Sequence, residues 1–288
     1  MRSDRRGERL ATIPSLAWLL IFFAVPVAWI VAMSFREAGP YGGFGKGWSL
    51  AAWKAMANPA YPMIVWRTVW LSVAATLICL ALSLPVAWRM VLLSRPWKNL
   101  VLMAVVIPFW TNFLIRVFAW KVLLHPEAYL RDFLVWSGLI DPGTLLLYHE
   151  GAVLLVLVYA YLPFAILPVY AAAERFDFSL IDAARDLGAS PIRAFVLVFV
   201  PGVGRGVLAA VAMVLVPALG SYLIPDLVGG PAGEMVGNKI AQRVFVDRNW
   251  PEAAALGTVL MALTLVPVAW WLLRSKPGLE SEPVRTEP

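Results

Sequence analysis

Residues 180–201 read LIDAARDLGASPIRAFVLVFVP, a polar segment that separates two long apolar runs. Ser179 is followed three residues later by Asp182, the spacing of a capping box, which predicts a helix that starts at Leu180. Apolar residues recur at helical spacing on one face of this helix, and small side chains form part of that face. These residues are Leu180, Ala183, Ala184 and Leu187.

The second half of the segment carries signals for a turn and another helix. Gly188 stands where a helix end favours a residue that tolerates a positive φ. Ser190 supplies an N-cap, and Pro191 suits the first helical position. Pro201 then stops or kinks the second helix. The sequence therefore predicts a compact helix–turn–helix unit.

The composition indicates that this unit belongs to an all-α, multi-pass membrane protein. Hydrophobic residues make up 61% of the chain and charged residues 15%, with a mean hydropathy of +0.75, outside the usual range for soluble domains. Six runs have about the length that crosses a bilayer, although the third contains Arg116 and Lys121. The runs are 13–33, 68–88, 100 to about 124, 151–173, 207–225 and 253–273.

The distribution of positive charge predicts the orientation of these spans. With both termini in the cytoplasm, fourteen of the 24 Lys and Arg residues fall in cytoplasmic segments and eight in external ones, as the positive-inside rule requires. The helix–turn–helix unit then faces the cytoplasm. The net charge of +6 follows from the same bias, so a nucleic-acid partner is not expected. The first apolar run lacks a small-x-small cleavage site at its end, and we expect it to be an uncleaved span.

Several kinds of catalytic and metal site have no counterpart in the sequence. The glycine-rich stretch 42–47 has no hydroxyl residue after Lys46, so no ATP-binding loop is expected. His125 and His149 do not form a zinc-binding pair, and the single cysteine, Cys79, lies within the second span. We therefore expect no catalytic residues, metal or cofactor, and a protein that is not itself an enzyme.

The helix–turn–helix unit resembles the EAA signature of ABC importer permeases. In that family the pattern is Glu-Ala-Ala, then Gly, then Ile, one residue, Leu and Pro. Asp182 replaces the glutamate here, and two valines replace the larger aliphatic residues, but the spacing matches throughout. The matching residues are Asp182, Ala183, Ala184, Gly188, Val198, Val200 and Pro201.

Further stretches across about 64–273 look like spermidine/putrescine-type permeases. Related branches of the family import iron, thiamine or phosphonates, and these substrates stay open as alternatives. The stretches are PFWTNFLIR at 108–116, Trp120, LPF at 162–164, LPVY at 167–170, GG at 229–230 and NWP at 249–251. The resemblance divides the chain into 1–63, a permease core at 64–273 that includes the EAA loop at 174–206, and a cytoplasmic tail at 274–288.

The resemblance implies a fold, partners and a mechanism. It implies a type I importer permease with six membrane helices in the bacterial cytoplasmic (inner) membrane, surrounded by membrane lipid. The partners would be two copies of an ABC ATPase subunit, a second permease chain, identical or different, and an extracytoplasmic solute-binding protein. The EAA loop would carry a coupling helix that docks on the ATPase, and ATP hydrolysis there would switch the spans between inward-open and outward-open states.

Two other interpretations of the loop remain open, and the residues of the transport path have alternative roles. The loop could merely cap a span, or the chain could be a membrane scaffold whose loop binds another partner. Acidic and aromatic side chains attract ammonium groups, but aromatic residues also form interfacial belts. Arg116 has three alternative roles: it could line the path, pair with Asp226 or extend to the membrane interface. The candidate path residues are Trp110, Arg116, Tyr161, Tyr222 and Asp226.

Overall fold

The computed structural model describes residues 13–15 and 17–274, most of which are helical. The basic N-terminal segment and the C-terminal tail, which enter the charge argument, lie outside the described residues. The elements, in chain order, are α1 (Ile13–Met33), β1 (Arg36–Ala38), β2 (Phe44–Trp48), α2 (Ala51–Ala55), α3 (Ala60–Leu92), α4 (Arg95–Val106), α5 (Phe113–Leu123), α6 (Tyr129–Trp136), α7 (Glu150–Ala173), α8 (Ser179–Asp186), α9 (Pro191–Gly202), α10 (Gly204–Leu219), α11 (Val236–Phe245) and α12 (Trp250–Arg274).

The described helices supply up to six membrane spans, as the sequence predicts. Four straight ones are long and apolar enough to cross a bilayer: α1, α3, α7 and the Trp250–Pro267 part of α12. Two more spans result if each of two bent helix pairs is counted as one span. The pair of α4 and α5 is bent by 93°, after α4 is extended by a 3-10 turn to Trp110, and the pair of α9 and α10 is bent by 73°.

The fifth span differs from its prediction. The sequence predicts a continuous helix over 207–225, but α10 begins at Gly204 and ends at Leu219. Gly220 follows as the C-cap, and Pro225–Gly229 form a separate π-helical turn. Glycine is a weak helix former and proline lacks an amide donor, so the helix ends before the apolar run does.

The third span is interrupted where polar residues stand inside the apolar run 100–124. Thr111 is extended, and the Asn112 side chain accepts a hydrogen bond at 2.8 Å from the amide of Leu114, the second residue of α5. This N-cap starts a new helix in a new direction. The predicted run is therefore two helices and not one.

The chain divides into two compact units, one of which is Lys54–Asp247. Its centre is a bundle of α3, α7 and α10, with Ala75 and Ala210 fully buried. At Gly206 of α10 a Cβ atom would lie 2.7 Å from the carbonyl oxygen of Pro168 and 3.3 Å from Cα of Val169 in α7. Small residues allow membrane helices to approach this closely, which increases their van der Waals contact.

The other unit contains the described residues up to Trp53 and from Arg248 onward. In it α1 packs against α12, and β1 pairs with β2 in an antiparallel hairpin. The glycine-rich stretch 42–47 overlaps β2, where the Glu37 carboxylate accepts a hydrogen bond at 2.9 Å from the Gly47 amide. A Cβ atom at Gly45 or Gly47 would lie 2.5 or 2.8 Å from the Glu37 side chain, so these two glycines allow close packing within the hairpin.

Candidate functional site

The first helix of the EAA loop starts one residue earlier than predicted and without a capping box. α8 begins at Ser179, and the residue before it provides no side-chain cap. Asp177 Oδ1 instead accepts the Ser179 amide hydrogen bond at 3.0 Å. Hydrogen bonds from the hydroxyl and the amide of Ser179 lower the pKa of the Asp177 carboxyl below its ordinary value. The capping-box prediction for Ser179 and Asp182 is wrong because Asp177 occupies that role.

The turn after α8 has the predicted conformation. Gly188 has a φ of +88°, and its amide donates to the Arg185 carbonyl at 2.9 Å, while the Ala189 amide donates to the Ala184 carbonyl at 3.0 Å. This pair of bonds is the Schellman motif, which satisfies the last carbonyls of a helix. A Cβ atom on Gly188 would meet no atom of the described residues within 4 Å. Glycine is therefore required here by backbone conformation and not by lack of space.

The start of α9 and its bend also follow the prediction. Ser190 Oγ accepts a hydrogen bond at 3.3 Å from the Arg193 amide, and Pro191 is the first helical residue. Residues Phe195–Phe199 form a wider π-helical turn. α9 continues through Pro201 to Gly202, after which the chain turns by 73° into α10. The kink therefore lies directly behind Pro201.

α8 presents one anchored residue and an exposed outer surface. Ile181 is buried at 6% exposure, whereas Leu187 is 90% exposed and Leu180 is 51% exposed. Asp182 and Ala183 are also exposed, and Ala184 is half-buried. A concave surface of about 700 Å³ lies beside them. Its lining residues are Asp182, Arg185, Asp186, Gly188, Ala189, Ser190 and Pro191.

A group of aromatic rings, which the sequence interpretation missed, packs between the EAA loop and α3. We call it the Trp88 cluster. Trp88 of α3 makes edge-to-face contacts with Phe178, Phe195 and Phe199, at centroid distances of 5.4, 5.4 and 4.7 Å. Phe176 joins through Phe199 at 5.4 Å. Phe176 and Phe178 precede the EAA signature in the sequence. Phe195 and Phe199 lie within it, but the convergence of all four on α3 requires the folded structure. The cluster fixes the loop to the second span.

A polar group provides a second attachment at the start of the loop. Lys98 of α4 forms an ion pair with Glu174 at 3.2 Å, and the Tyr170 hydroxyl donates a hydrogen bond to the same carboxylate oxygen. The Tyr170 hydrogen bond, together with Lys98, lowers the pKa of the Glu174 carboxyl. The loop is therefore joined to α4 as well as to α3.

Two of the predicted path residues, Tyr222 and Asp226, line one cavity of about 580 Å³. We call it the 222–246 cavity. Both side chains are exposed in it, and Asp226 forms no ion pair with any described residue. The other lining residues are Pro225, Gly230, Pro231, Glu234, Asn238, Lys239, Ala241, Gln242, Phe245 and Val246.

Long-range contacts hold one wall of this cavity, α11, against α3. Buried Thr68 Oγ1 accepts a hydrogen bond at 2.8 Å from the amide of Val236, the first residue of α11. Near the other end of α11, Arg243 Nη2 donates to the Tyr61 hydroxyl at 2.7 Å. Residues more than 160 positions apart therefore position the cavity.

Within the cavity the charges leave one carboxylate in excess. Lys239 Nζ lies 3.1 Å from Glu234 and 3.0 Å from the Gln242 side-chain oxygen. This pair is neutral, so Asp226 gives the lining a net negative charge. The sequence interpretation missed Glu234 and Phe245, which an acidic and aromatic pattern between the last two spans could have indicated.

The remaining predicted path residues occupy different surroundings. Arg116 lies over the rings of Phe109 and Phe113, at 4.9 and 5.7 Å from their centroids, and the described residues contain no ion pair between Arg116 and Asp226. The suggested pairing with Asp226 is therefore wrong, because aromatic faces next to Arg116 supply its partners.

Tyr161 and Trp110 differ strongly in exposure. Tyr161 is 9% exposed and its hydroxyl donates to the Pro217 carbonyl at 3.2 Å, which links α7 to α10. Trp110 is 85% exposed. Phe109 and Phe164 pack edge to face at 5.0 Å between Arg116 and Tyr161. That Trp110, Arg116 and Tyr161 line the transport path stays a prediction.

Comparison with known families identifies the chain. Residues 73–280 match the family model described as "Binding-protein-dependent transport system inner membrane component". The chain belongs to this family. It is therefore a multi-pass permease subunit of a transport system in the inner membrane.

Curated relatives are similar to this permease over most of its length. The spermidine/putrescine transport system permease protein PotB of Haemophilus influenzae is 37% identical over 265 residues, covering 91% of this chain and 93% of the relative. PotB of Escherichia coli is 33% identical over 270 residues, covering 92% and 98%. The inner membrane ABC transporter permease protein YdcU of Escherichia coli is 34% identical over 233 residues, covering 76% and 72%.

Solved structures support the fold of the permease. A chain of a bacterial ABC transporter that imports the acidic polysaccharide alginate gives a TM-score of 0.67 at 17% identity, covering 94% of this chain and 98% of the other. The same kind of transporter in complex with an alginate-bound periplasmic protein gives 0.66 at 16% identity, covering 94% and 96%. The permease therefore has the type I ABC importer fold.

Proposed function

We propose that this permease forms part of an ATP-driven importer of polyamines such as spermidine and putrescine. The observation that carries the substrate is the match to PotB proteins of two genera at 33–37% identity over more than nine tenths of each chain. The core of the importer subunit is residues 64–273. Iron, thiamine and phosphonates are the alternative substrates within the family.

The 222–246 cavity suits a cationic solute. Asp226 supplies a carboxylate that forms no ion pair within the described part of the chain, and Tyr222 and Phe245 supply exposed aromatic rings beside it. Ammonium groups interact favourably with both kinds of group. Trp110 and Tyr161 complete the proposed set of aromatic path residues. The cation of Arg116 would repel a polyamine, so we assign it a place beside the path, held by its two phenylalanine rings.

The EAA loop couples this path to a separate ATPase. Asp182, Ala183 and Leu187 lie on the exposed surface of α8, next to the concave surface at the turn, and these groups would contact the ATPase. Gly188 permits the sharp exit and Pro201 the bend into α10. The loop faces the cytoplasm, and both termini lie on that side, in accord with the positive-inside rule.

The complete importer requires several more subunits. We propose two copies of an ABC ATPase, a second permease chain and an extracytoplasmic solute-binding protein. The structurally similar alginate transporter, which was solved in complex with a periplasmic protein, supports the proposed solute-binding protein. ATP hydrolysis on the partner would then drive alternating access in the permease pair.

Uptake by the reconstituted importer tests the proposal. The permease is placed in liposomes with its ATPase, second permease and binding protein, and ATP-dependent uptake of labelled spermidine, putrescine, Fe(III), thiamine and a phosphonate is compared. We expect accumulation of the polyamines alone. Uptake of another solute without polyamine uptake overturns the substrate, and a lack of any ATP-dependent uptake or ATPase stimulation favours the scaffold interpretation.

A further inference from the structure

A second cavity lies at the ends of α3 and α7 that are opposite to the EAA loop. It has a volume of about 410 Å³. Four of its lining residues recur at helical spacing on α3 and therefore share one face of that helix, and the fifth is the first residue of α7. The lining residues are Met63, Trp66, Arg67, Trp70 and Glu150.

The charges of this cavity lie at the boundary of the apolar spans. Arg67 immediately precedes the charge-free run 68–88, and Glu150 immediately precedes 151–173. α3 and α7 pack against each other, so both charges mark the level at which the hydrocarbon region of a bilayer begins. The cavity therefore lies at the depth of phospholipid head groups.

The aromatic residues support the same depth. Trp66 is 65% exposed and Trp70 is 52% exposed, and Met63 beside them is 57% exposed. Indole rings favour the membrane–water interface because one edge is polar and the remainder apolar. Together they provide an apolar wall next to the charged pair.

The charged pair leaves one donor and one acceptor for a ligand. Arg67 Nε donates to Glu150 Oε1 at 2.7 Å, and Arg67 Nη1 donates to the Glu234 carbonyl at 3.3 Å. Among the described residues, Arg67 Nη2 and Glu150 Oε2 have no hydrogen-bond partner. The Glu150 side chain is 45% exposed and that of Arg67 is 17% exposed. The site is thus neutral overall, with one positive and one negative contact point.

We propose that this cavity binds the head group of a phospholipid that carries a phosphate and a primary ammonium, such as phosphatidylethanolamine. The phosphate accepts hydrogen bonds from the Arg67 guanidinium, and the ammonium donates to the Glu150 carboxylate. The glycerol and upper acyl segments lie against Trp66 and Trp70. A polyamine fits less well because Arg67 repels a second cation, and an anionic lipid without an amine would place no group on Glu150.

Successive methylation of the ammonium provides the test. The purified full chain is exchanged into nanodiscs, and its lipid occupancy is measured by native mass spectrometry in competition between phosphatidylethanolamine, its N-methyl and N,N-dimethyl forms, and phosphatidylcholine. Phosphatidylcholine has no N–H donor for Glu150. We expect affinity to fall with each methyl group and to be about tenfold lower for phosphatidylcholine.

Three variants locate the site. Glu150→Gln removes the charge and is expected to abolish the preference for the primary ammonium, and Trp66→Leu is expected to reduce occupancy by all four lipids. Trp29→Leu is the matched control, because Trp29 of α1 is 64% exposed and is not one of the residues that line the cavity. Unfolding temperature is recorded for each variant to confirm that it is folded.

Either of two results of the lipid competition would overturn the proposal. One is equal occupancy by phosphatidylethanolamine and phosphatidylcholine in the unmodified chain, and the other is an unchanged preference in the folded Glu150→Gln variant. A photo-crosslinker placed at residue 70 should label lipid, and labelling of a second permease chain instead would also reject it. No readout involves solute uptake, so the result is independent of the proposed polyamine import.

Discussion

The EAA loop and the 222–246 cavity are built in opposite ways. Neighbouring residues determine the loop: the Gly188 turn and the Ser190 N-cap bond within five positions of themselves. The cavity depends on distant residues, since Thr68 holds Val236 and Tyr61 holds Arg243. The surface proposed to receive force from an ATPase therefore has a locally encoded shape, whereas the surface proposed to contact the solute depends on how the spans pack.

Removal of the buried ring that holds the loop should have the largest effect. Phe199 is fully buried in the Trp88 cluster, so Phe199→Ala is expected to lower the free energy of unfolding by about 3–5 kcal/mol. Phe245→Ala is the control at the other region, where the ring is 78% exposed, and its effect on stability should be small. Equilibrium unfolding in detergent measures both. Equal losses would show that the cluster does not distinguish the two regions.

Substitution of the turn glycine separates conformation from coupling. Gly188→Ala forces a side chain into a positive φ and should cost about 1–2 kcal/mol. Gly138→Ala is a matched control, because Gly138 has a φ of +72° and equally open surroundings at the end of α6. We expect similar losses of stability but a lower ratio of uptake to ATP hydrolysis for Gly188→Ala alone. An unchanged ratio would exclude the turn from coupling.

Neutralisation of the Asp226 carboxylate tests the region proposed to contact the solute. Asp226→Asn should weaken the apparent affinity for spermidine about tenfold, as expected for loss of one charged hydrogen bond, without changing protein stability. Asp186→Asn, on the concave surface of the EAA loop, should leave the apparent affinity unchanged. Initial uptake rates at varied solute concentration provide the comparison. The same KM for Asp226→Asn and the unmodified chain would remove Asp226 from the path.

Acidification should produce the smallest effect, at the start of the loop. The pKa of Glu174 is lowered from the ordinary value of 4.5, so its stabilising contribution is present above that value and is lost as pH falls through the lowered pKa. Such exposed pairs contribute at most about 1 kcal/mol. Glu174→Gln should flatten this part of the stability–pH curve, measured by thermal unfolding. An identical curve for the variant would contradict the assignment.

The sequence predicts the local features of the loop better than the contacts that surround it. Gly188, Ser190 and Pro201 act through their own backbone conformations, so their roles are visible in the sequence. The prediction of the N-terminal cap is wrong because Asp177 and Ser179 both supply suitable oxygens, and only the folded geometry distinguishes them.

The membrane spans are likewise predicted only in part. The length of the apolar runs predicts the number of spans. The end of α10 depends on Gly220 and the start of α5 on Asn112, both within apolar runs. The convergence of Trp88 with the loop phenylalanines, and the contacts of Thr68 with Val236 and of Tyr61 with Arg243, arise from packing of distant helices. A hydropathy pattern contains no information on such pairs.

The close approach at Gly206 has a mechanical consequence. Because its backbone lies against Pro168 and Val169, we expect α7 and α10 to move together and not to slide past each other. The 73° bend lies at the N-terminal end of α10, and this end would be the pivot of such a movement. α10 has 16 residues and so is about 24 Å long, and a tilt of about 10° at the pivot displaces its far end by about 4 Å.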